Sequence, residues 1–327
     1  MRAVMSRMVC GALALACLAA TAHAGEAAYP NRPVRVIVPY PPGGSTDPTA
    51  RAYGNWIAAK WNIPVVIDNR PGAGSTIGHA LGAKATPDGY NLLLGTSAGL
   101  VVSPAFGIKL SYDPVKDLAP VGLAVYAPFL LVVHPSVPAK NVKELIDLAK
   151  AQPGKVNFGS PGVGTPNHLG MELLKAMTGA DFTHVPYKGG GPATADLVGG
   201  RIQAIFGSLP QWQPHLAVGK VRAIAIGHPQ RAKQMPDVPT VAETLPGFNN
   251  TTWYALFAPV GTPPAIVNRI NAEMKLAVAN PEFVKQLETL GLEPASSTPK
   301  ELGDMVKTEL ARWTKVIRAA GIPPPSL

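Results

Sequence analysis

The sequence predicts an α/β fold made of two α/β lobes joined by a two-stranded hinge. Three observations carry that reading. Short apolar runs alternate with amphipathic stretches, the pattern of a parallel sheet covered by helices. The alternation is laid down twice, once in each half of the chain. The helices that close the chain follow no strands of their own, so they are expected to return to the first half, and the chain must then cross between the halves twice.

Taken in order, Val34-Arg35-Val36-Ile37-Val38 predicts a buried strand. Residues 49–60 predict a helix, with Ala50, Tyr53, Ile57 and Trp61 at helical spacing. Residues 65–67 read as a second strand, 75–85 as a helix and 91–94 as a third strand. The middle repeats the plan. Strands are expected at 129–133, 156–158, 183–185, 204–206 and 223–226, and helices at 142–150, 167–177 (ended by Thr178-Gly179) and 192–198. Residues 252–258 are extended and apolar, and helices are expected over 263–279, 281–290 and 300–319. This places residues 25–124 with 252–327 in one lobe and 125–251 in the other, with crossings near 125–133 and 252–259 as the hinge. The 35 prolines and 33 glycines punctuate element ends and form no linker.

The N-terminus reads as a secretory leader, residues 1–24. Arg2 and Arg7 precede an uncharged Ala- and Leu-rich stretch, and Ala22-His23-Ala24 supplies a small-x-small cleavage site after Ala24. The apolar stretch is too short for a bilayer span, and the residues before Cys17 fit lipidation poorly. Export to the periplasm is expected. Both cysteines, Cys10 and Cys17, lie in that leader. The remaining 303 of the 327 residues therefore have no disulfide, thiol nucleophile or Cys ligand. That length suits two domains, each with its own core. Net charge falls from +9 to +7 with the leader removed. The positive charges are scattered, with no nucleic-acid signature, and a mildly positive surface suits a small anion.

Four glycine-rich turns stand where a strand ends and a helix begins: Pro39-Tyr40-Pro41-Pro42-Gly43-Gly44-Ser45-Thr46-Asp47, Arg70-Pro71-Gly72-Ala73-Gly74-Ser75, Gly159-Ser160-Pro161-Gly162-Val163-Gly164-Thr165-Pro166, and Tyr187-Lys188-Gly189-Gly190-Gly191-Pro192. Ligands of open α/β sheets bind beyond the C-terminal ends of strands. Free N–H groups at helix starts, glycines that let the backbone approach, and Ser or Thr hydroxyls together suit a carboxylate or phosphate. Any one such loop is equally a tight turn with an N-cap. Pro166 and Pro192 fit capping. Asp47 either holds the first loop and accepts from a polar ligand group, or caps the helix that follows.

These loops, with Asn-Arg-Pro-Gly-Ala-Gly from Asn69, Pro-Asp-Gly-Tyr from Pro87 and His-Val-Pro-Tyr-Lys-Gly-Gly-Gly-Pro-Ala from His184, resemble the Bug family, the solute receptors of tripartite tricarboxylate transporters. The likeness runs from Tyr29 almost to the C-terminus. It implies a periplasmic binding protein of type II, a Venus flytrap, holding a small carboxylate between its lobes. It implies no cofactor, and integral membrane permease subunits as partners of a monomeric receptor. The resemblance places ligand contacts at Tyr40, Gly43, Gly44, Ser45, Thr46 and Asp47 in one lobe, and at Gly159, Ser160, Gly162, Thr165 and His168 in the other. Thr96, Ser97 and Ser208 are expected to line the cleft. The ligand stays open among di- and tricarboxylates, acidic amino acids and aromatic acids.

Other readings can be drawn from the same residues. Gly95-Thr96-Ser97-Ala98-Gly99 matches the nucleophile elbow of serine hydrolases, but Pro104 is expected to interrupt the helix an elbow needs. Gly72-Ala73-Gly74-Ser75-Thr76-Ile77-Gly78 approximates a dinucleotide fingerprint without its acidic partner. The seven histidines are scattered and make no metal motif. A sensory receptor without a dedicated permease would look the same. Trp212, Trp253 and Tyr254 either line the cleft or pack the core and hinge.

Overall fold

The computed structural model describes residues 29–42, 45–187 and 189–324. The leader with its cleavage site, and the candidate residues Gly43 and Gly44, lie outside the described residues. Along the chain run β1 (Val34–Val38), α1 (Thr46–Trp61), β2 (Val65–Asn69), α2 (Thr76–Ala83), β3 (Asn91–Thr96) and a wide π-helical turn, Ala98–Val102. Then come β4 (Leu118–Val133), α3 (Val142–Ala151), β5 (Val156–Ser160), α4 (Pro166–Thr178), β6 (Phe182–Pro186), α5 (Gly190–Val198), β7 (Ala204–Ser208), α6 (Leu209–Ala217) and β8 (Arg222–Ile226). The short α7 (Val241–Thr244), β9 (Thr251–Pro259), α8 (Pro264–Val278), α9 (Pro281–Thr289), β10 (Glu293–Pro294) and α10 (Pro299–Ala319) complete it.

The strands form two sheets that share β4. In the first, β2, β1 and β3 are parallel, with Val36 opposite both Ile67 and Leu92. β9 lies antiparallel beside β3, β4 beside β9, and β10 beside β4. In the second, Phe129–Val133 of β4 pairs antiparallel with β7 on one side, and Leu130–Val133 pairs with β8 on the other. β5 and β6 follow in parallel beyond β7. β4 thus leaves one sheet and enters the other within a single strand. Register slips between Pro120 and Gly122, and between Leu123 and Val125, mark bulges opposite β9, the device that lets a strand bend. The chain returns beside it, since Gly227 N–H donates to Phe129 O, Asn250 N–H donates to Gly227 O, and Thr251 then pairs with Pro128.

β4 begins eleven residues before the predicted strand at 129. Pro120, Gly122 and Pro128 disguise its first half, and a bulged strand tolerates them. Helix α6 was not expected at all. Pro210 sits in its first turn, where no N–H is required, and only Pro214 breaks its ladder. Pro104 does not interrupt the chain after Ser97. The π-helical turn runs into Ser103–Ala105, with Pro104 in the first turn of that segment, and the run ends at Gly107 in the left-handed region at φ 70°.

Helix α10 braces the crossing. Its Leu302, Val306, Trp313 and Ile317 share one apolar core with Leu100 of the first sheet's layer and with Leu169 and Phe206 of the second. Trp253 of β9, fully buried, donates its indole N–H to Glu309 at 3.0 Å, and Arg312 donates to Asn249 O at 2.7 Å.

The first loop is held from behind by Gly78 of α2. A Cβ there would stand 2.6 Å from Pro39 Cα and 2.7 Å from Arg70 O, both backbone atoms. Gly78→Ala is expected to cost about 1–3 kcal/mol, read as a lower urea midpoint at unchanged slope. An unaltered midpoint would mean that α2 does not pack this closely.

Candidate functional site

Two adjoining chambers open where the C-terminal ends of the central strands meet. The first, about 270 Å³, is lined by Tyr40 and Pro41 after β1, Ser45 and Thr46 where α1 begins, and Thr96 and Ala98 where β3 ends. Phe129 of β4, Pro166 at the start of α4, and Thr252 and Tyr254 of β9 close it. The second, about 220 Å³, shares Ser45, Phe129 and Tyr254 with the first. It adds Pro161 and Asn167 beside α4, Ser208, Pro210 and Gln211 at the start of α6, and Leu290 to Leu292. A larger groove of about 620 Å³ runs along α10. It touches no strand end, and Glu301, Asp304 and Glu309 outnumber Arg312 on its wall, the wrong balance for an anion.

Four helical segments start on the chamber walls: α1, the π-helical turn, α4 and α6. A helix start presents backbone N–H groups with no intrahelical acceptor, and its dipole favours negative charge. No Lys, Arg or His lines either chamber among the described residues. Pro166 and Pro210, the wall residues at the starts of α4 and α6, carry no N–H, so the hydroxyls and the remaining free N–H groups supply the polarity. Ser45 Oγ lies 2.6 Å from Tyr254 Oη. Burial pushes the Tyr254 phenol up to about 12, so it keeps its proton. Thr252 Oγ1 is buried and has no hydrogen-bond partner among the described residues, a cost that a ligand would remove.

Of the residues predicted from sequence, Tyr40, Ser45, Thr46, Thr96 and Ser208 stand on these walls. Asp47 lies behind them in the first turn of α1, ion-paired to Arg51 at 2.9 Å. Ser97 is buried and does not line either chamber. In the second half, Pro161, Pro166 and Asn167 reach the chambers, whereas the neighbouring candidates form a layer that supports them. Ser160 Oγ donates to Gly162 O at 2.9 Å and meets His184 Nε2 at 2.7 Å. Thr165 caps α4, and His168 Nδ1 accepts from Gly164 N–H at 3.1 Å. Gly159 gives room to Ile202, 2.5 Å from where its Cβ would be. The His168 and His184 rings stack at 3.9 Å. No described residue of the loops after β2 and β6 lines either chamber.

Sequence reasoning missed Phe129, Asn167 and Thr252. Phe129 read as the start of an ordinary strand, and nothing in its neighbourhood marks the point where β4 changes sheets. Tyr254 lines the cleft, but Trp212 and Trp253 are fully buried and belong to the core.

Hydrolase chemistry at Ser97 finds no support in its surroundings. The nearby His79 is fully buried, donates Nδ1–H to Ser75 O at 2.8 Å and accepts Thr96 N–H on Nε2 at 3.2 Å. Both nitrogens are occupied. No group of three or more metal-ligating side chains occurs among the described residues.

Comparison with known proteins agrees with this architecture. Residues 49–322 match the family described as tripartite tricarboxylate transporter family receptor. A UPF0065 protein from the tcbD-tcbE intergenic region of a Pseudomonas species is 40% identical, over 95% of this chain and 93% of its own. BugT of Bordetella pertussis is 38% identical over 90% of each chain. Among solved structures, an R. palustris protein with adipate has a TM-score of 0.77 at 34% identity, covering 90% of this chain and 99% of that one. MatC from Rhodopseudomonas palustris with bound malate has 0.71 at 34%, covering 88% and 100%.

The buried imidazoles give a pH signature. Burial holds His79 down at about 4, His168 at about 3 and His184 at about 4. All three are neutral when folded, and the unfolded chain binds their protons first. Their contribution is therefore complete above about pH 6.5 and is lost as pH falls toward about 4, on the order of 3 kcal/mol for His79 alone. Imidazole ¹⁵N shifts of His79 should stay constant from pH 8 to about 5. A midpoint near 6.5 would contradict its place in the structure.

Proposed function

The chain belongs to the tripartite tricarboxylate transporter family of receptors, and from that premise we propose that it captures a small carboxylate in the paired chambers. The observation that carries this is the convergence of helix starts and a ring of hydroxyls on one cleft that, among the described residues, has no cation on its walls. Such a cleft grips an anion by neutral donors. The adipate and malate bound by structural neighbours, each 34% identical, support a carboxylate as the ligand class.

In this reading residues 25–124 with 252–327 form one lobe and 125–251 the other. Ligand enters an open cleft and favours the closed form, because only there do both lobes reach it. Tyr40, Ser45, Thr46 and Thr96 act from the first lobe with Thr252 and Tyr254, and Ser208 from the second. Gly43 and Gly44, which sit between Pro42 and Ser45 in sequence, complete the first loop. Asp47, Ser97, Gly159, Ser160, Gly162, Thr165 and His168 act by holding the loops in place. The leader directs the chain to the periplasm and is cleaved after Ala24. The closed receptor delivers its ligand to integral membrane permease subunits.

A thermal-shift panel of adipate, malate, citrate, glutamate, benzoate and phthalate tests the proposal. A binding acid at one hundred times its Kd is expected to add about 2.7 kcal/mol of stability. Ser45→Ala combined with Thr252→Val is expected to weaken that acid by about 10- to 100-fold, the loss of one or two hydrogen bonds to a charged group. No shift with any acid, or an unchanged affinity in the double variant, would overturn it.

A further inference from the structure

Resting on the reading of the chambers as a carboxylate site, we infer that the preferred ligand is an acid with an apolar body, and that Phe129 sets this preference. Hydroxylated acids of the same charge and size are the disfavoured class.

The wall chemistry supports this by a count. A carboxylate offers about four lone-pair positions to donors. Among the described residues, the first chamber has four hydroxyl-bearing residues other than tyrosine, Ser45, Thr46, Thr96 and Thr252, and Ser45 already engages Tyr254. One carboxylate, sharing these with the α1 N–H groups, takes up what the wall provides. The other six lining residues, Tyr40, Pro41, Ala98, Phe129, Pro166 and Tyr254, present mainly carbon.

The second chamber is more mixed, with Ser208, Asn167 and Gln211 beside its carbon surfaces. Its amides are partly committed within the protein, since Asn167 Nδ2 donates to Phe206 O at 2.6 Å and Gln211 Nε2 donates to Thr194 Oγ1 at 2.8 Å. The Gln211 orientation is fixed, because Thr194 Oγ1 spends its own proton on Gly190 O. Pro161, Pro210, Leu290 and Leu292 supply the apolar remainder. A ligand hydroxyl placed against the carbon wall of the first chamber loses water and gains no partner there, whereas a methylene or ring carbon gains by leaving water.

Phe129 is the residue common to this argument. It is half-buried, packs on the main core, and borders both chambers. It also stands at the first position where β4 pairs with β7. Its ring therefore faces ligand from the strand that joins the two sheets, and any ligand spanning both chambers passes it.

The test uses pairs matched in charge and carbon count. Calorimetry on the full processed protein compares cyclohexanecarboxylate with quinate, and adipate with galactarate. The apolar member of each pair that binds is expected to be at least about tenfold tighter, with a negative heat-capacity change. Phe129→Ala should bring that ratio down toward one. If Phe129→Ala does not fold, Phe129→Leu is measured instead and should lower the ratio partway.

Equal or tighter binding of quinate or galactarate overturns the inference. So does binding of citrate or malate when none of the four probes binds. An unchanged ratio in the Phe129 variant overturns the role of that residue. Absence of binding by every carboxylate would instead overturn the underlying site assignment.

Discussion

The structure depends on the pairing of β4 with β9. One strand, Leu118–Val133, belongs to both sheets, and its partner Thr251–Pro259 lies beside it from Leu118↔Pro259 to Pro128↔Thr251. Beyond Pro128 the same strand takes new neighbours, β7 and β8. Every strand end that faces the chambers is placed by this change of partners. If β4 ended where the first sheet ends, the helix starts of the two halves would have no common reference. The Trp253–Glu309 and Arg312–Asn249 contacts hold the returning chain against α10. In the proposed two-lobe reading, two adjacent crossings would restrict relative motion to bending.

In the proposed reading, that geometry lets a cleft with no cation among its described lining residues hold an anion. Each donor is a dipole fixed by a longer element, α1 of 16 residues and α4 of 13 residues among them. Fixed dipoles need little reorganisation when charge arrives. The layer behind them keeps the second loop rigid. His184 and Ser160 hold Gly162, and His168 receives Gly164 N–H. Burial keeps these imidazoles neutral, so they order the loop without adding charge.

Much of this was legible in the sequence because parallel strands buried on both faces read as plain apolar runs. β1, β5 and β7 each extend the predicted run by no more than two residues. The loop after β1 also announced itself, since Ser45 and Thr46 follow a strand and open a helix. The remainder was hidden by proline. Pro120 and Pro128 hid half of β4, and Pro210 and Pro214 hid α6 with its contribution to the second chamber. Residues such as Phe129 and Thr252 owe their place to long-range pairing, which local pattern does not encode. The second loop differs in another way. Its Ser160, Thr165 and His168 have the chemistry of ligand contacts, yet they bond within the loop while Pro166 and Asn167 reach the cavity.

A crystal structure of the protein with its tightest-binding carboxylate tests the central claim most directly. The account predicts the carboxylate oxygens within about 3 Å of donors at the start of α1, with Phe129 and Tyr254 against the ligand body and both lobes in contact. A ligand seated in the groove along α10, or touching one lobe only, would contradict it.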